Sequence, residues 1–259
     1  MERYKENIQD HFDDQSVEIR SKQGINAHGS ATMPFLLRSP YAFIEDEILI
    51  NLESKTVLDL CCGTGIYAIY PAMMGANVEG VDISEKSISM ARERASNFGL
   101  STKCKFTVGD VESLNYPKSY FDIVLIYGSL SYLEIEKTFD YLSGIIKPGG
   151  KLIVVDSLGH NLIFNLNRRK NLKNWAKTDI NRLTTIKKKD IYMAENYFSK
   201  LEIQGFDFFT AAMFYFNKVF NTDFKPKLFF TLDRLILRLP LFKWLAFKVV
   251  FVCSKDENA

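Results

Sequence analysis

The sequence predicts an α/β fold: a doubly wound, Rossmann-like sheet of seven mostly parallel strands, with an antiparallel last strand and helical cap elements. Short apolar segments alternate with helix-length segments from residue 56 to residue 156. These apolar segments lack polar–apolar alternation, which is typical of parallel strands covered on both faces. The first of them, residues 57–65 (VLDLCCGTG), leads directly into a glycine turn. Such a turn marks the nucleotide-type cofactor site of a doubly wound sheet.

Each element follows from its apolar period and its turn residues. Ser84 is placed to cap a helix that Gly99 stops. The Pro-Gly pair within residues 147–150 is expected to stop another helix. We predict strands over residues 56–60, 77–81, 104–108, 121–127, 151–156, 201–209 and 249–254, and helices over residues 1–20, 41–52, 67–75, 84–97, 135–146 and 189–198, with a leucine-rich helical pattern inside 211–248.

Length and composition favour one folded domain with elaborations. The chain has 259 residues, of which 47% are hydrophobic and 25% charged. Its four cysteines show neither a zinc spacing nor a disulfide framework, so we expect reduced thiols and a cytoplasmic protein. We expect no signal peptide, because the N-terminus is polar, and no spanning helix, because no run of 18 apolar residues occurs.

The domain organisation follows from where the strand–helix rhythm begins and changes. We assign residues 1–54 to N-terminal helices and a lid, and residues 55–259 to the α/β domain. Within that domain, residues 157–200 and 211–248 are predicted substrate-cap or interface elaborations. Residues 161–259 carry 18 Lys/Arg and 9 Asp/Glu, a net charge of +9, and residues 1–160 carry a net charge of −7. The basic part favours an anionic substrate or surface, with a solvated lysine-rich face as the alternative.

Residues at the ends of the first three strands suit an adenosine cofactor. Gly63 and Gly65 let the backbone turn sharply, and the helix that follows offers free amide groups. Asp82, at the end of the second strand, can accept hydrogen bonds from both ribose hydroxyls. Asp110 follows the third strand, where it can accept from the adenine amine. Ile83 and Val111 can enclose the ring.

Two cofactors compete for this site. Residues 63–68 satisfy the G-x-G-x-x-G/A pattern of NAD binding, but a lone match is weak. S-adenosylmethionine has no pyrophosphate and needs an acid in the glycine turn to hold its charged amino group, as well as an acid after the third strand. Asp59 and Asp110 occupy these positions.

Five motifs in order resemble class I S-adenosylmethionine-dependent methyltransferases: VLDLCCGTG, GVDIS, VGDVESL, FDIVLIYGSL and IIKPGGKLIVV. The resemblance covers residues 57–156 and departs from the family at Cys61, where the first glycine of the turn is common. It implies methyl transfer from S-adenosylmethionine and no metal. The cofactor residues that it implies are Asp59, Cys61, Gly63, Gly65, Asp82, Ile83, Asp110, Val111 and Tyr127.

The segment after the fourth strand bears on the acceptor. Residues 126–132 (IYGSLSY) lack the Asp/Asn-Pro-Pro-Tyr motif of enzymes that methylate nucleic-acid bases or protein glutamine, so we expect no nucleic-acid partner. Residues 154–169 resemble a bacterial group with a Pro-Leu-Gly-His-Asn-Pro-type signature. Here Ser157 and Leu162 replace its two prolines. The resemblance implies a small-molecule, sugar or glycolipid acceptor methylated on oxygen. Carbon methylation of a quinone-like lipid, and a non-catalytic S-adenosylmethionine-binding protein, are the alternatives.

Oxygen methylation benefits from a general base, because the acceptor hydroxyl loses a proton. His160 follows the fifth strand and is the first candidate, since its ordinary pKa suits neutral pH. A role in capping a loop is its structural alternative. Asp156, Tyr132 and His28 are further catalytic candidates, and His28 belongs to the predicted lid.

Aromatic, leucine and basic residues are interleaved in residues 225–248. This pattern suits peripheral contact with an anionic membrane at its inner face, or the binding of a lipid-linked acceptor. A helix packed on the sheet, or on a second subunit of a homodimer, is the more ordinary interpretation.

Overall fold

The computed structural model describes residues 9–10, 13–14, 24–160, 165, 185–225 and 227–257. The predicted N-terminal helix and much of the predicted 157–200 elaboration lie outside these residues. In chain order the helices and strands are α1 (Ser39–Phe43), β1 (Thr56–Leu60), α2 (Ile69–Met73), β2 (Asn77–Asp82), α3 (Glu85–Asn97), β3 (Cys104–Val108), β4 (Phe121–Tyr127), α4 (Ile135–Ile145), β5 (Ile146–Ser157), α5 (Lys188–Tyr192), β6 (Lys200–Phe206), α6 (Phe209–Phe220), α7 (Lys227–Ile236) and β7 (Lys248–Ser254).

Seven strands form one sheet in the order β3-β2-β1-β4-β5-β7-β6. Strands β1 to β5 are parallel, and β7 is antiparallel to both of its neighbours, β5 and β6. The predicted seven-stranded, mostly parallel sheet with an antiparallel last strand is therefore confirmed. Strand β6 consequently points in the same direction as the five parallel strands.

The sheet is buried on both faces, as the unbroken apolar strands predict. One face packs Leu58 and Val154 against Phe139 of α4. The other face packs Val57 and Val155 against helices that include α2 and α3. Because Asp59 is two residues after Val57 in β1, it points toward the second face, where a charge is costly.

Helix α3 shows how local sequence sets an element. The Ser84 side chain accepts a hydrogen bond from the Ser87 backbone N–H at 3.0 Å, which satisfies one of the free amides of the first turn. Gly99, with φ of 68°, follows the end of the helix. The predicted start and end of this helix are thus correct to within one residue.

Five predicted elements differ in their bounds by two residues or more. The helices predicted over 67–75 and 189–198 are the shorter α2 and α5. Strand β5 begins at Ile146 instead of residue 151, because Ile146 pairs with Phe121 before a register shift. The predicted helix 41–52 is α1 followed by a π-helical turn, Ile44–Ile48. The strand predicted over 201–209 ends at Phe206, since Asp207 adopts φ of 63° and α6 starts at Phe209.

The predicted elaboration at residues 211–248 is a helical hairpin formed by α6 and α7, followed by a 3-10 turn, Phe242–Leu245. Among the described residues, no helix has the length and apolar character needed to cross a membrane.

Candidate cofactor and acceptor site

The carboxyl ends of β1 to β6 share one edge of the sheet, because these six strands run in the same direction. Ligands of open α/β sheets bind at this edge. Most of the residues predicted from sequence lie there, at the end of a strand or in the turn that follows it.

Asp59 is a buried carboxyl group of this edge with incomplete hydrogen bonding. Its side chain is 1% exposed, and its Oδ2 atom has no hydrogen-bond partner within the described structure. Burial, followed by the charge of Asp82, raises the pKa of Asp59 to about 8. A buried carboxylate oxygen without a donor is costly, so it marks a place where a cationic or donating ligand group would be stabilised.

The turn after β1 uses left-handed backbone at three positions, with φ of 57° at Cys61, 51° at Gly63 and 69° at Gly65. Glycine adopts this region without strain, whereas the Cβ atom of Cys61 makes it unfavourable there. A Cβ atom added at Gly65 would lie 2.9 Å from the Cβ atom of Ala91. The turn therefore needs Gly65 for its contact with α3, and it tolerates Cys61 at a cost.

Asp82 joins the turn to the end of β2. Its Oδ2 atom accepts from the Gly63 N–H at 2.8 Å, and its Oδ1 atom accepts from the Ser84 N–H at 2.9 Å. Each carboxylate oxygen keeps a second lone pair for a ligand hydroxyl. Burial raises the pKa of Asp82, although these two N–H donors act in the opposite direction. The half-buried Ile83 follows directly.

Asp110 and Val111 form the wall after β3. The Asp110 carboxylate caps a 3-10 turn, Val111–Ser113, by accepting from the Glu112 N–H at 3.0 Å. Both residues are half-buried. A cavity of about 220 Å³ adjoins Val111 and extends to Leu60 at the end of β1. The sequence-predicted adenine wall thus borders open space.

Three tyrosines stack at the end of β4. The ring centroids of Tyr67 and Tyr127 are 4.3 Å apart, and those of Tyr41 and Tyr67 are 5.2 Å apart. Asp59 pairs in register with Leu125 of β4, two residues before Tyr127, so the Asp59 and Tyr127 side chains are on the same face of the sheet. Burial, and next the charge of Asp59, raise the pKa of Tyr127. Burial, and next the charge of Asp156, raise the pKa of Tyr41. The stack therefore extends from Tyr127, at the end of β4, to Tyr41 of α1.

Asp156 is the residue before the end of β5 and is 2% exposed. Its Oδ2 atom accepts from the Ser131 N–H at 3.3 Å, and its Oδ1 atom accepts from the Ser157 N–H at 2.6 Å. Tyr132 ends the 3-10 turn that contains Ser131 and is half-buried. These two catalytic candidates therefore lie at the same edge as the predicted cofactor residues.

The two histidine candidates lie in different surroundings. His160 is exposed, and its Nε2 atom accepts from the Lys188 N–H at 2.8 Å at the start of α5. Its ring contacts Trp244 edge-on at 6.1 Å between centroids. The His28 ring contacts Phe98, at the end of α3, with centroids 4.9 Å apart. Neither contact joins a histidine to the tyrosine stack or to Asp156.

Arg94 is a positioning residue that the sequence argument missed. It is fully buried on α3 and donates to three backbone carbonyls: Ala27 at 2.8 Å, Gly24 at 3.4 Å, and Thr64 of the glycine turn. Burial lowers the pKa of Arg94 to about 10, and it remains a cation at neutral pH. The residue links the N-terminal loop to the cofactor turn. An arginine in a helix pattern gives no signal of this role.

The residues present fit S-adenosylmethionine. The unpartnered oxygen of Asp59 suits its charged amino group, and Asp82 retains capacity for ribose hydroxyls. The described residues include no group of three or more His, Cys, Asp or Glu side chains that could hold a metal ion. The fold and this edge together define a class I S-adenosylmethionine-dependent methyltransferase domain.

Comparison with known proteins gives the same class. Residues 57–150 match the family model described as "Methyltransferase domain". The chain is 30% identical over 126 residues to the sterol 4-C-methyltransferase strm-1 of Caenorhabditis elegans, which covers 48% of this chain and 37% of that protein. It is 34% identical over 108 residues to the ubiquinone/menaquinone biosynthesis C-methyltransferase UbiE of Citrobacter koseri, which covers 40% of this chain and 43% of that protein. The match thus spans less than half of either relative.

The fold comparison extends over nearly the whole chain. Geranyl diphosphate C-methyltransferase from Streptomyces coelicolor A3(2) superposes with a TM-score of 0.64 at 12% identity, covering 97% of each chain. At this identity the likeness concerns the fold alone.

Proposed function

We propose that this protein transfers a methyl group from S-adenosylmethionine to a small-molecule acceptor. The observation that carries the proposal is the buried Asp59 carboxylate, whose Oδ2 atom lacks a donor at the end of β1. The bound cofactor would supply a methyl group on a sulfonium centre, ready for in-line displacement. Asp59 and Asp82 would bind its amino group and its ribose, and Asp110, Ile83 and Val111 would enclose its adenine.

The chain's own contribution to the reaction is alignment more than acid–base chemistry, because proximity supplies much of the rate of a displacement. The Tyr127 ring lies beside Asp59 and would face the sulfonium charge, which an aromatic surface stabilises. The stack with the half-buried Tyr67 and the buried Tyr41 would limit access of water to the transferring methyl group. Tyr41 and Asp156 would form the acceptor side.

For the acceptor, we propose the carbon of an apolar, lipid-like molecule. The matched relatives are named as carbon methyltransferases of a sterol and of quinones, and the proposed acceptor side includes the buried ring of Tyr41. Oxygen methylation of a sugar or glycolipid, expected from the sequence, is the second candidate. The buried Asp156 beside Tyr41 favours it, since a carboxylate there could take the hydroxyl proton. We also propose a position at the inner face of the cytoplasmic membrane, where such acceptors are available.

Isothermal titration with S-adenosylmethionine tests the cofactor site. We expect Asp59→Asn to weaken binding about 10- to 100-fold, because a charge-assisted hydrogen bond contributes about 1.5–3 kcal/mol. Asp122→Asn is the matched control, since Asp122 lies in β4 and accepts from Thr56 and Lys147 away from this edge. Equal affinity of wild type and Asp59→Asn would contradict the assignment of the site.

Label transfer from methyl-labelled S-adenosylmethionine tests the acceptor. Lipid extracts and water-soluble glycan extracts are offered separately, and the labelled product is treated with reagents that cleave methyl ethers and esters. Label that stays with an apolar product after this treatment supports carbon transfer. Label released from a polar product supports the oxygen alternative.

A further inference from the structure

An unusual amount of apolar surface is exposed on the α6–α7 hairpin and the turn that follows it. Of the sixteen large apolar residues that are exposed in the described structure, ten lie within residues 216–245. Val219 is 75% exposed and Leu241 is 83% exposed. We call this the hairpin surface; its members are Phe216, Val219, Phe220, Phe224, Leu228, Leu235, Leu239, Leu241, Phe242 and Leu245.

Members of the hairpin surface lie together on each of the two helices. Phe216 and Phe220 contact each other at the end of α6, with ring centroids 4.5 Å apart. Leu228 and Leu235 are two helical turns apart on α7 and therefore share its outer side. Soluble proteins rarely leave an apolar face of this extent in water, so the hairpin surface indicates an interaction site.

The charges around the hairpin surface have one predominant sign. Residues 216–245 contain six cationic side chains and two acids. One of the acids, Asp233, is buried and faces α6. The other, Asp223, is paired with Lys225 at 2.7 Å. The cations that surround the apolar residues are Lys218, Lys225, Lys227, Arg234, Arg238 and Lys243.

The hairpin is anchored to the acceptor side of the site. The Asp233 carboxylate of α7 accepts from the N–H groups of Phe209 at 2.8 Å and Thr210 at 3.1 Å, and so caps α6. The charge of Asp233 also acts on the buried Asp207, whose charge in turn acts on Tyr41. The ring of Phe230 on α7 contacts Phe35, from the N-terminal part, at 5.3 Å. A partner on the hairpin surface would therefore lie next to the acceptor side.

We propose that the hairpin surface docks on a membrane containing anionic lipids and presents the acceptor side to it. Apolar side chains ringed by lysine and arginine match the layering of such a membrane, with acyl chains below anionic headgroups. A second copy of this chain would place the six cations of one hairpin against those of the other, which is electrostatically unfavourable. The choice of a lipid acceptor rests on the proposed function; the docking itself needs no methyl transfer.

Vesicle flotation without cofactor tests the docking. We expect wild type to float with vesicles of phosphatidylcholine and phosphatidylglycerol, and at least tenfold less with pure phosphatidylcholine. The double variant Val219→Ser/Leu241→Ser should bind the anionic vesicles at least tenfold more weakly, because it removes inserted apolar groups. Lys218→Glu/Lys225→Glu should also bind the anionic vesicles at least tenfold more weakly, because it replaces two cations by acids that anionic headgroups repel.

Two matched controls separate the hairpin surface from general surface effects. Ile50→Ser/Met73→Ser removes exposed apolar residues elsewhere, and Lys105→Glu/Lys151→Glu reverses charges elsewhere; both should float like wild type. Flotation of the hairpin variants equal to wild type, or equal binding to both kinds of vesicle, would overturn the proposal. So would a dimer in light scattering that Val219→Ser/Leu241→Ser converts to a monomer. Titration of each variant with S-adenosylmethionine reports the cofactor site independently, so failure of docking and failure of the proposed function are distinguishable.

Discussion

Asp59 combines an ionisable group, near-complete burial and an oxygen without a donor. A folded protein rarely keeps such a group unless a ligand completes it. The neighbouring Asp82 differs, because two backbone N–H groups already stabilise its charge. The two carboxylates therefore differ: Asp82 is hydrogen-bonded to the glycine turn, whereas Asp59 is the group that we propose to bind the positive amino group of the cofactor.

The raised pKa of Asp59 predicts an unusual pH dependence of stability. Its pKa is about 8 in the fold, against about 3.9 in an unfolded chain. Between these values the folded state holds a proton that the unfolded state lacks, so the free energy of unfolding falls as pH rises from about 4 to about 8. Asp59→Asn should remove much of this loss, on the order of a few kcal/mol. Urea unfolding at several pH values checks it.

Asp122→Asn provides the opposite control. Although burial opposes ionisation, hydrogen bonds from Lys147 and the Thr56 N–H hold the pKa of Asp122 below its usual value. Its contribution to stability is present at neutral pH and is lost as pH falls through that pKa. A similar pH 4–8 slope in Asp59→Asn and wild type would contradict the assigned cause. Burial likewise raises the pKa of Asp207 to about 8. Asp207 should therefore leave a residual fall in the free energy of unfolding between pH 4 and 8 in both wild type and Asp59→Asn.

Cys61 predicts a stabilising substitution. Its φ of 57° strains a residue that has a Cβ atom, so Cys61→Gly should raise the free energy of unfolding by about 1 kcal/mol. Gly63→Ala, which adds a Cβ atom at φ of 51° where no atom lies within 4 Å, should lower it by a similar amount. Thermal unfolding measures both. Destabilisation by Cys61→Gly would show that the thiol packing outweighs the strain.

Site residues whose position follows from the order of the strands could be predicted from the sequence. Site residues whose position follows from tertiary packing could not. Asp59, Asp82 and Asp110 follow apolar strands, so their shared edge could be predicted. The stacking of Tyr41 on Tyr67 could not, because Tyr41 belongs to α1 and Tyr67 to the turn before α2, and nothing in the sequence distinguishes them among 12 tyrosines.

At the scale of elements, α3 fixes the cofactor turn through one side chain. Arg94 donates to carbonyls of both the N-terminal loop and the turn. The loop is held further by the Gly29 N–H, which donates to the Ile66 carbonyl at 2.8 Å. The loop, the turn and the helix are thereby joined into one unit around the proposed cofactor.

Arg94→Met should break the contacts that join the N-terminal loop, the glycine turn and α3. It leaves buried carbonyls without a donor, at a cost of about 3 kcal/mol, and should also weaken S-adenosylmethionine binding by releasing the loop. Arg94→Lys restores the charge without the planar fork and should recover only part of the loss. Denaturant unfolding and calorimetry measure the two effects. Unchanged affinity in Arg94→Met would show that the loop does not contribute to the cofactor site.

Asp233 is the corresponding link in the hairpin. Its carboxylate accepts from the first N–H groups of α6 and from the Thr210 hydroxyl at 2.7 Å. Asp233→Ala should lower the free energy of unfolding by about 2 kcal/mol and increase proteolysis between α6 and α7. Asp223→Ala, at the exposed hairpin tip, is the matched control. Equal proteolysis of the two variants would contradict the anchoring role.

The first and last residues of an element could be predicted where turn residues next to it in the sequence determine them. The strands β1, β3 and β4 have the predicted bounds, since turn residues frame their apolar runs. The end of β6 depends instead on Asp233, a residue 27 positions beyond Phe206 that caps the helix starting at Phe209. A contact of this range leaves no trace in the local pattern, so the hairpin was predicted only as a helical tendency.

The whole molecule divides along its sheet. Strands β3, β2 and β1 present the proposed cofactor residues, whereas β5, β7 and β6 present Asp156 and the hairpin. Strand β4, with Tyr127 at its end, lies between the two halves. The family match covers the cofactor half, which is why the donor could be predicted from sequence and the acceptor could not.

Cofactor binding should stabilise the whole fold by mass action. At a free concentration of 100 Kd, S-adenosylmethionine should add about 2.7 kcal/mol and raise Tm by roughly 5–10 °C. Asp82→Ala should abolish the shift, whereas Val219→Ser/Leu241→Ser should retain it. A differential scanning series checks the three proteins. A full shift in Asp82→Ala would contradict the ribose assignment.

The position of β7 has a consequence for how the chain is made. Strand β7 lies between β5 and β6, although residues 158–247 separate it from β5 in sequence. A nascent chain that has emerged from the ribosome only as far as residue 247 can already pair β3, β2, β1, β4 and β5, yet β5 then ends the sheet with an open edge. Such an edge invites pairing with other chains. Synthesis of the last strand therefore decides between completion of the monomer and aggregation, and a chaperone that shields β5 until then would raise the yield.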